Sequence, residues 1–185
     1  MSQEQLLSAL TTLRVGGVAK RVQRESDPLS LVAAAGQADA EGTPLLVLGG
    51  GSNVVVSDSP FPGLVLLDGR DRILGVEKQN GSVVVEVAAG TSWDRFVAEA
   101  LLSGWSGVEA LSGIPGSVGA APVQNIGAYG RELSDNLVSI EAFDRQTGKV
   151  LALSRDDLGL GYRDSLLKRS LFSAAPGQGA WGKSP

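Results

Sequence analysis

Cysteine and histidine are both absent from the 185 residues. Without cysteine there is no disulfide, no thiolate nucleophile and no cysteine-held metal. Without histidine there is no imidazole base, no Ser-His pair and no imidazole ligand. Most protein-borne routes to hydrolysis are thereby closed, no metal site is expected, and an enzyme built from this chain would rely on a cofactor for its chemistry. Positive charge is also scarce: 16 basic against 20 acidic residues give a net charge of −4, and the basic residues are scattered. Nucleic acid and anionic membrane are therefore not expected as partners, and any anion has to be met by local groups. No apolar run approaches ~18 residues and no charged segment precedes an apolar one, so neither a membrane span nor a signal peptide is expected and the expected location is cytoplasmic. What the chain does have is 43% hydrophobic residues, enough for one sizeable domain or two small ones with a real core.

Ser26-Asp27-Pro28 reads as an N-cap with proline near the first helical position, followed by Leu29, Leu31, Val32 and Ala35, and Gly42 ends that helix. Leu45 to Leu48 reads as a short buried strand, and Val54 to Val56 and Leu64 to Leu67 continue the β pattern, so this half runs β, α, β, β, β. Two runs flanking Asn80-Gly81 predict a hairpin over 73–89 with a two-residue type I′ turn. Thr91 or Ser92 should cap a helix whose Trp93, Phe96, Val97, Ala100 and Leu101 share one face and which Gly104 ends. A further hairpin is expected over 137–154, around Arg145 to Gly148. Strands mixed with two or three helices, without strict alternation, give an α+β class.

Residues 47–58 read VLGGGSNVVVSD. A phosphate loop of the usual kinds opens a helix, yet the β-branched Val54, Val55 and Val56 disfavour one, and no lysine follows the last glycine. This segment reads as strand, loop, strand. Its run of N–H groups with no Cβ in the way could form a concavity for a pyrophosphate, or simply a flexible turn. A second segment, SGIPGSVGAAPVQNIGAYG at 112–130, holds five glycines, two prolines and no charge. An exposed loop is usually polar, so this composition suits backbone packed against something flat such as an isoalloxazine ring, or against a neighbouring sheet.

LGGGSN at 48–53, the whole of 112–130, GYRDS at 161–165 and TTLRVGG at 11–17, in this order and spacing, resemble the UDP-N-acetylenolpyruvoylglucosamine reductase family over nearly the whole chain. The resemblance implies an FAD-binding fold of the vanillyl-alcohol oxidase (PCMH) type, with two α+β subdomains, 1–68 and 69–185, around non-covalent FAD. It places Gly49, Gly50, Gly51, Ser52 and Asn53 on the FAD pyrophosphate. Along the rest of the cofactor it places Gly113, Gly116, Ser117, Gly119, Ala120, Asn125, Ile126, Gly127 and Gly130. The implied reaction reduces the enolpyruvyl group of a UDP-sugar to give UDP-N-acetylmuramate for peptidoglycan, with NADPH as reductant. Arg163 then stabilises charge on the substrate carboxylate and Tyr162 lines the same site; by itself, Arg163-Asp164 reads equally as a surface ion pair. Members of that family are longer, so the second subdomain is expected to be incomplete. A substrate domain, with a proton-donating serine and a glutamate, is expected to be missing beyond the closing AAPGQGAWGKSP. The resemblance leaves two alternatives open: a different flavin oxidoreductase of the same fold, and a flavin-binding domain without complete catalysis.

Overall fold

The computed structural model describes residues 3–173; the closing Gly/Pro-rich stretch lies outside them. In chain order the elements are β1 (Gln3–Leu6), β2 (Val18–Glu25), α1 (Pro28–Ala40), β3 (Leu45–Leu48), β4 (Phe61–Asp68), β5 (Ile73–Gln79) and β6 (Ser82–Val87). There follow α2 (Trp93–Leu102), β7 (Gly127–Ala128), β8 (Arg131–Glu132), β9 (Ser139–Asp144), β10 (Lys149–Ser154), α3 (Arg155–Leu158) and α4 (Leu166–Ser173), with short 3₁₀ segments between.

The first part is a four-stranded sheet in the order β1-β2-β4-β3, with β2, β4 and β3 parallel and β1 antiparallel at one edge. Parallel pairing requires a covered crossover, which α1 supplies between β2 and β3. The helix starts where expected: the Asp27 carboxylate accepts from Ser30 N at 2.8 Å, with Pro28 in the first turn. Its buried side is the small stripe Ala34, Ala35 and Ala38, the first two packed with Leu66, whereas Leu29 is exposed. β4 is the central strand, and its continuous run Leu64, Val65, Leu66 and Leu67 is buried on both faces. Leu7, Val22, Leu48 and Phe61 complete the core beneath it.

Val54 to Val56 is not a strand. The segment runs as irregular chain with Val56 buried in the sheet core, Val54 packed against it and Val55 exposed. β propensity had no partner strand to act through here, because its backbone neighbour is the Gly16-Gly17 turn, where Gly17 N donates to Ser57 O at 2.9 Å.

The second part, among the described residues, has its strands in three separate two-stranded sheets, β5-β6, β7-β8 and β10-β9. Trp93, Val97, Leu111, Ala121, Ile126 and Leu133 form its core, drawn from α2, from 3₁₀ turns and, for Ile126, from the chain just before β7. The Trp93 indole donates to Leu111 O at 2.8 Å, so the buried ring keeps its polar atom satisfied. Ser92 does precede α2, but its side chain caps nothing, and the Thr91 hydroxyl instead accepts from Arg72 N at 3.0 Å. The β5–β6 hairpin turns at Asn80 and Gly81, both at positive φ, as a type I′ turn requires. The β9–β10 hairpin pairs in full register from Ser139↔Ser154 to Asp144↔Lys149.

Candidate functional site

The two glycine-rich segments meet. A Cβ on Gly49 would stand 2.8 Å from Ser117 Oγ, and one on Gly50 would stand 3.0 Å from Gly116 Cα. The Ser52 hydroxyl donates to Pro115 O at 3.3 Å. On its other side the loop rests on the turn at 10–12, where Thr12 N donates to Gly51 O at 2.9 Å. Gly51 has φ +66°, and a Cβ there would collide with the Leu10 carbonyl and lie 2.9 Å from Thr11 Cα. Only glycine satisfies the conformation and the neighbour together.

Among the described residues, none of the backbone N–H groups of residues 49–53 donates to a protein acceptor, and neither do those of Gly116 and Ser117. Gly49, Gly50 and Asn53 are exposed while Gly51 is buried. Consecutive backbone donors that the protein leaves unused, three of them on glycines, are of the kind that can meet an anion. The Ser117 hydroxyl, over Gly49, adds a further donor. This is the donor set a pyrophosphate needs, and the cofactor expected from the sequence fits it.

The second segment is held from behind. Trp93 N donates to Gly116 O at 3.0 Å, Val118 N to Thr91 O at 2.8 Å and Gly119 N to Ala89 O at 2.8 Å. A Cβ on Gly119 would lie 3.1 Å from that Ala89 oxygen. The Asp94 carboxylate accepts from Gly113 N at 2.6 Å and from Ser112 Oγ at 3.1 Å. Ala120 is exposed beside Gly49, and Gly130, at φ +75°, has open space around it.

Asn125 and Ile126 sit differently. Ile126 is part of the core. Asn125, 1% exposed and left-handed at φ 46°, gives its whole amide to the protein. Its Nδ2 donates to Glu132 Oε2 at 2.7 Å and to Gly161 O at 3.0 Å, and its Oδ1 accepts from Ser134 N at 3.0 Å.

The GYRDS loop closes onto this segment. Arg163, left-handed at φ 52°, donates from Nη2 to Gly127 O at 2.9 Å, and its guanidinium lies 5.9 Å from the centre of the exposed Tyr162 ring. The Arg163–Asp164 ion pair suggested by the sequence does not form. Asp164 pairs with Arg169 on α4 instead, and that bond holds the Asp164 carboxyl below the usual range. Among the described residues the exposed Arg163 guanidinium has no ion pair, and its contacts are Gly127 O and the Tyr162 ring. Ser165, fully buried, donates to Val123 O at 2.6 Å and caps α4 by accepting from Lys168 N at 3.0 Å. Glu132, Ser134, Ser165 and Asp94 were not expected from the sequence; only Ser165, three residues before Lys168 at a helix start, carried a readable capping signal.

A cleft of about 680 Å³ is lined by Arg131, Ser134, Asp135, Arg155, Asp156, Gly159 and Leu160. Its charges pair among themselves, Arg131 with Asp135 and Arg155 with Asp156, and it takes in neither glycine segment. Among the described residues no helix is long and apolar enough to cross a membrane.

The FAD binding domain family matches residues 21–154. The chain is 49% identical over 174 residues to the UDP-N-acetylenolpyruvoylglucosamine reductase of Leifsonia xyli subsp. xyli, covering 92% of this chain and 45% of that one. The enzyme of the same name from Saccharopolyspora erythraea is 48% identical, with 89% and 45% covered. The chain therefore spans somewhat less than half the length of the curated relatives it matches. Among solved structures, the UDP-N-acetylenolpyruvylglucosamine reductase (MurB) of Thermus caldophilus superposes with a TM-score of 0.74 at 32% identity, over 92% of this chain and 58% of that one. A solvent-stable cholesterol oxidase shares the fold at TM-score 0.61 and 16% identity, over 84% and 33% of the two chains. The α+β architecture expected from the sequence is the one found, and with a match over most of its length the chain belongs to the FAD-binding domain family.

Proposed function

We propose that this chain is the flavin-holding part of a UDP-N-acetylenolpyruvoylglucosamine reductase, an NADPH-linked enzyme of peptidoglycan precursor synthesis acting in the cytoplasm on a UDP-sugar. The carrying observation is the meeting of two glycine segments around unpaired N–H groups, in a chain close in sequence to reductases of that name.

In this reading Gly49, Gly50, Gly51, Ser52 and Asn53 hold the pyrophosphate of non-covalent FAD. Gly113, Gly116, Ser117, Gly119, Ala120, Gly127 and Gly130 run along the rest of it, with Asn125 and Ile126 shaping that wall from within. The sheet part, 1–68, and the part from 69 onward act as its two sides, a division supported by their separate cores. Bound flavin supplies hydride transfer, from the nicotinamide to the enolpyruvyl double bond.

The chain's own share is electrostatic. Addition of hydride to the alkene moves negative charge toward the substrate carboxylate, so a cation fixed there stabilises the transition state more than the ground state. Arg163 is suited to this: one nitrogen is anchored on Gly127 O, its plane lies beside Tyr162, and its remaining N–H groups form a fork that matches a carboxylate.

The test is direct. The purified chain should take up FAD in about equal amount and release it unmodified on denaturation. UDP-N-acetylglucosamine enolpyruvate should then perturb the flavin spectrum, and Arg163→Ala should abolish that perturbation while keeping the flavin. A chain that stays colourless in excess FAD overturns the reading, and an unchanged perturbation in Arg163→Ala overturns the role of Arg163.

A further inference from the structure

We propose that Asn125 is a positioning residue for Arg163, with its amide oriented by Glu132. The inference rests on the reading of Arg163 given above, but its premises are separate observations. Asn125 Nδ2 holds the Gly161 carbonyl at 3.0 Å, two residues before Arg163. Arg163 in turn reaches back to Gly127 O, two residues after Asn125. The two bonds run in opposite directions between the same pair of segments, so together they fix both position and direction of the arginine loop.

Glu132 decides which way the amide faces. Its carboxylate accepts only, and at 2.7 Å it requires the NH₂ end of Asn125, while Ser134 N at 3.0 Å requires the oxygen end. The donor toward Gly161 is therefore set by two independent partners. Nothing in local conformation demands this arrangement. A left-handed position at the end of a 3₁₀ turn is commonly filled by glycine, and asparagine there adds the one group that reaches Gly161. Arg163 is itself left-handed at φ 52°, a costly backbone state for a long side chain that persists only when the surroundings impose it.

The test separates positioning from simple stability. Arginine-selective NMR of the whole chain reads the Arg163 Nη hydrogens, which should be resolved while bonded to Gly127 and averaged once the loop is loose. Amide exchange at Gly161 and Asp164, which bond each other's carbonyls, gives a second readout. Asn125→Ala should average the Arg163 signals and speed exchange at those two amides on the order of tenfold, the loss of one hydrogen bond, with the α2 amides unchanged. In the paired swap Asn125→Asp with Glu132→Gln, the bond between positions 125 and 132 can re-form with donor and acceptor exchanged, but an oxygen then faces the Gly161 carbonyl. We expect the swap to recover thermal stability relative to Asn125→Asp alone, and the Arg163 signals to stay averaged. Restored Arg163 signals in the swap, or unchanged signals in Asn125→Ala, overturn the proposal. In FAD-loaded protein, loss of the substrate response in Arg163→Ala reports on the role of Arg163 itself, so the two ideas fail in different experiments.

Discussion

At residues 49–51 a side chain is opposed by what stands next to the glycine, and at Gly51 by a φ of +66° as well, whereas at Gly113, Gly116 and Gly130 it is opposed by the backbone's conformation alone. A side chain on Gly49, Gly50 or Gly51 would meet Ser117, Gly116 or the Leu10 carbonyl. The other three have φ of +76°, +127° and +75°, and a Cβ on any of them would meet nothing closer than 3.4 Å. The first segment is a wedge between two parts of the fold, and the second is a chain of turns with room on one side. A wedge should fail abruptly when enlarged, and a chain of turns should fail by degrees.

The largest effect is expected at Gly51. Gly51→Val combines overpacking against the turn at 10–12 with left-handed strain, and it should lower stability by roughly 3–5 kcal/mol. Urea unfolding measures it, with flavin uptake lost in parallel. A stable Gly51→Val that keeps FAD would break the distinction between wedge and turns.

Next is Gly50→Val, which pushes on Gly116 from an exposed position. Here the fold should hold, and FAD affinity should fall about 10- to 100-fold, the worth of one or two bonds to a charged phosphate. Fluorescence titration with FAD decides it, and undiminished affinity would remove this loop from the cofactor. Gly130→Ala should do less. It has open space and only φ +75° against it, so a stability loss of about 1–2 kcal/mol is expected, with flavin affinity falling less than in Gly50→Val.

The same contrast explains what could be read from the sequence. Elements set by local chemistry were legible: the Asp27 cap, the Asn80-Gly81 turn, the helix face around Trp93 and Val97, and the hairpin around Gly148. The two glycine segments stood out by composition, and motif resemblance supplied the roles proposed for them and for Arg163. Features set by a distant partner were not legible. Val54 to Val56 carries strong β propensity, but no strand lies beside it. Thr91 has a capping side chain, but Arg72, nineteen residues away, takes it. Asn125 looked like one more polar group along a cofactor, and only the fold shows Glu132 and Gly161 converging on it. Asp164 follows Arg163 directly, yet Arg163 sits left-handed inside the tight turn that Asp164 closes on Gly161, and α4 brings Arg169 to Asp164 instead.

The smallest expected effect comes from acid, and it should separate the two regions. LGGGSN carries no titratable side chain, nor does the turn at 10–12 on which it rests. The arginine loop, by contrast, is tied to α4 through Asp164, whose carboxyl is held below its usual value first by the Arg169 hydrogen bond, with Lys168 contributing at longer range. A carboxyl depressed on folding stabilises the folded state above its unfolded value, and that contribution fades as pH falls through the folded one. Lowering the pH below the ordinary aspartate range should therefore release the loop from α4 while leaving the glycine wedge in place. Comparing thermal unfolding of the native chain with Asp164→Asn tests this. The native chain should be modestly the more stable near neutrality, and the gap should close in acid, because protonation gives Asp164 the neutral form that asparagine imitates. With the pyrophosphate on the uncharged loop, as proposed, FAD affinity should not follow the closing gap. A difference that persists unchanged into strong acid would mean that the Asp164–Arg169 pair does not anchor the loop, and that its position is held by the bonds of Asn125, Arg163 and Ser165.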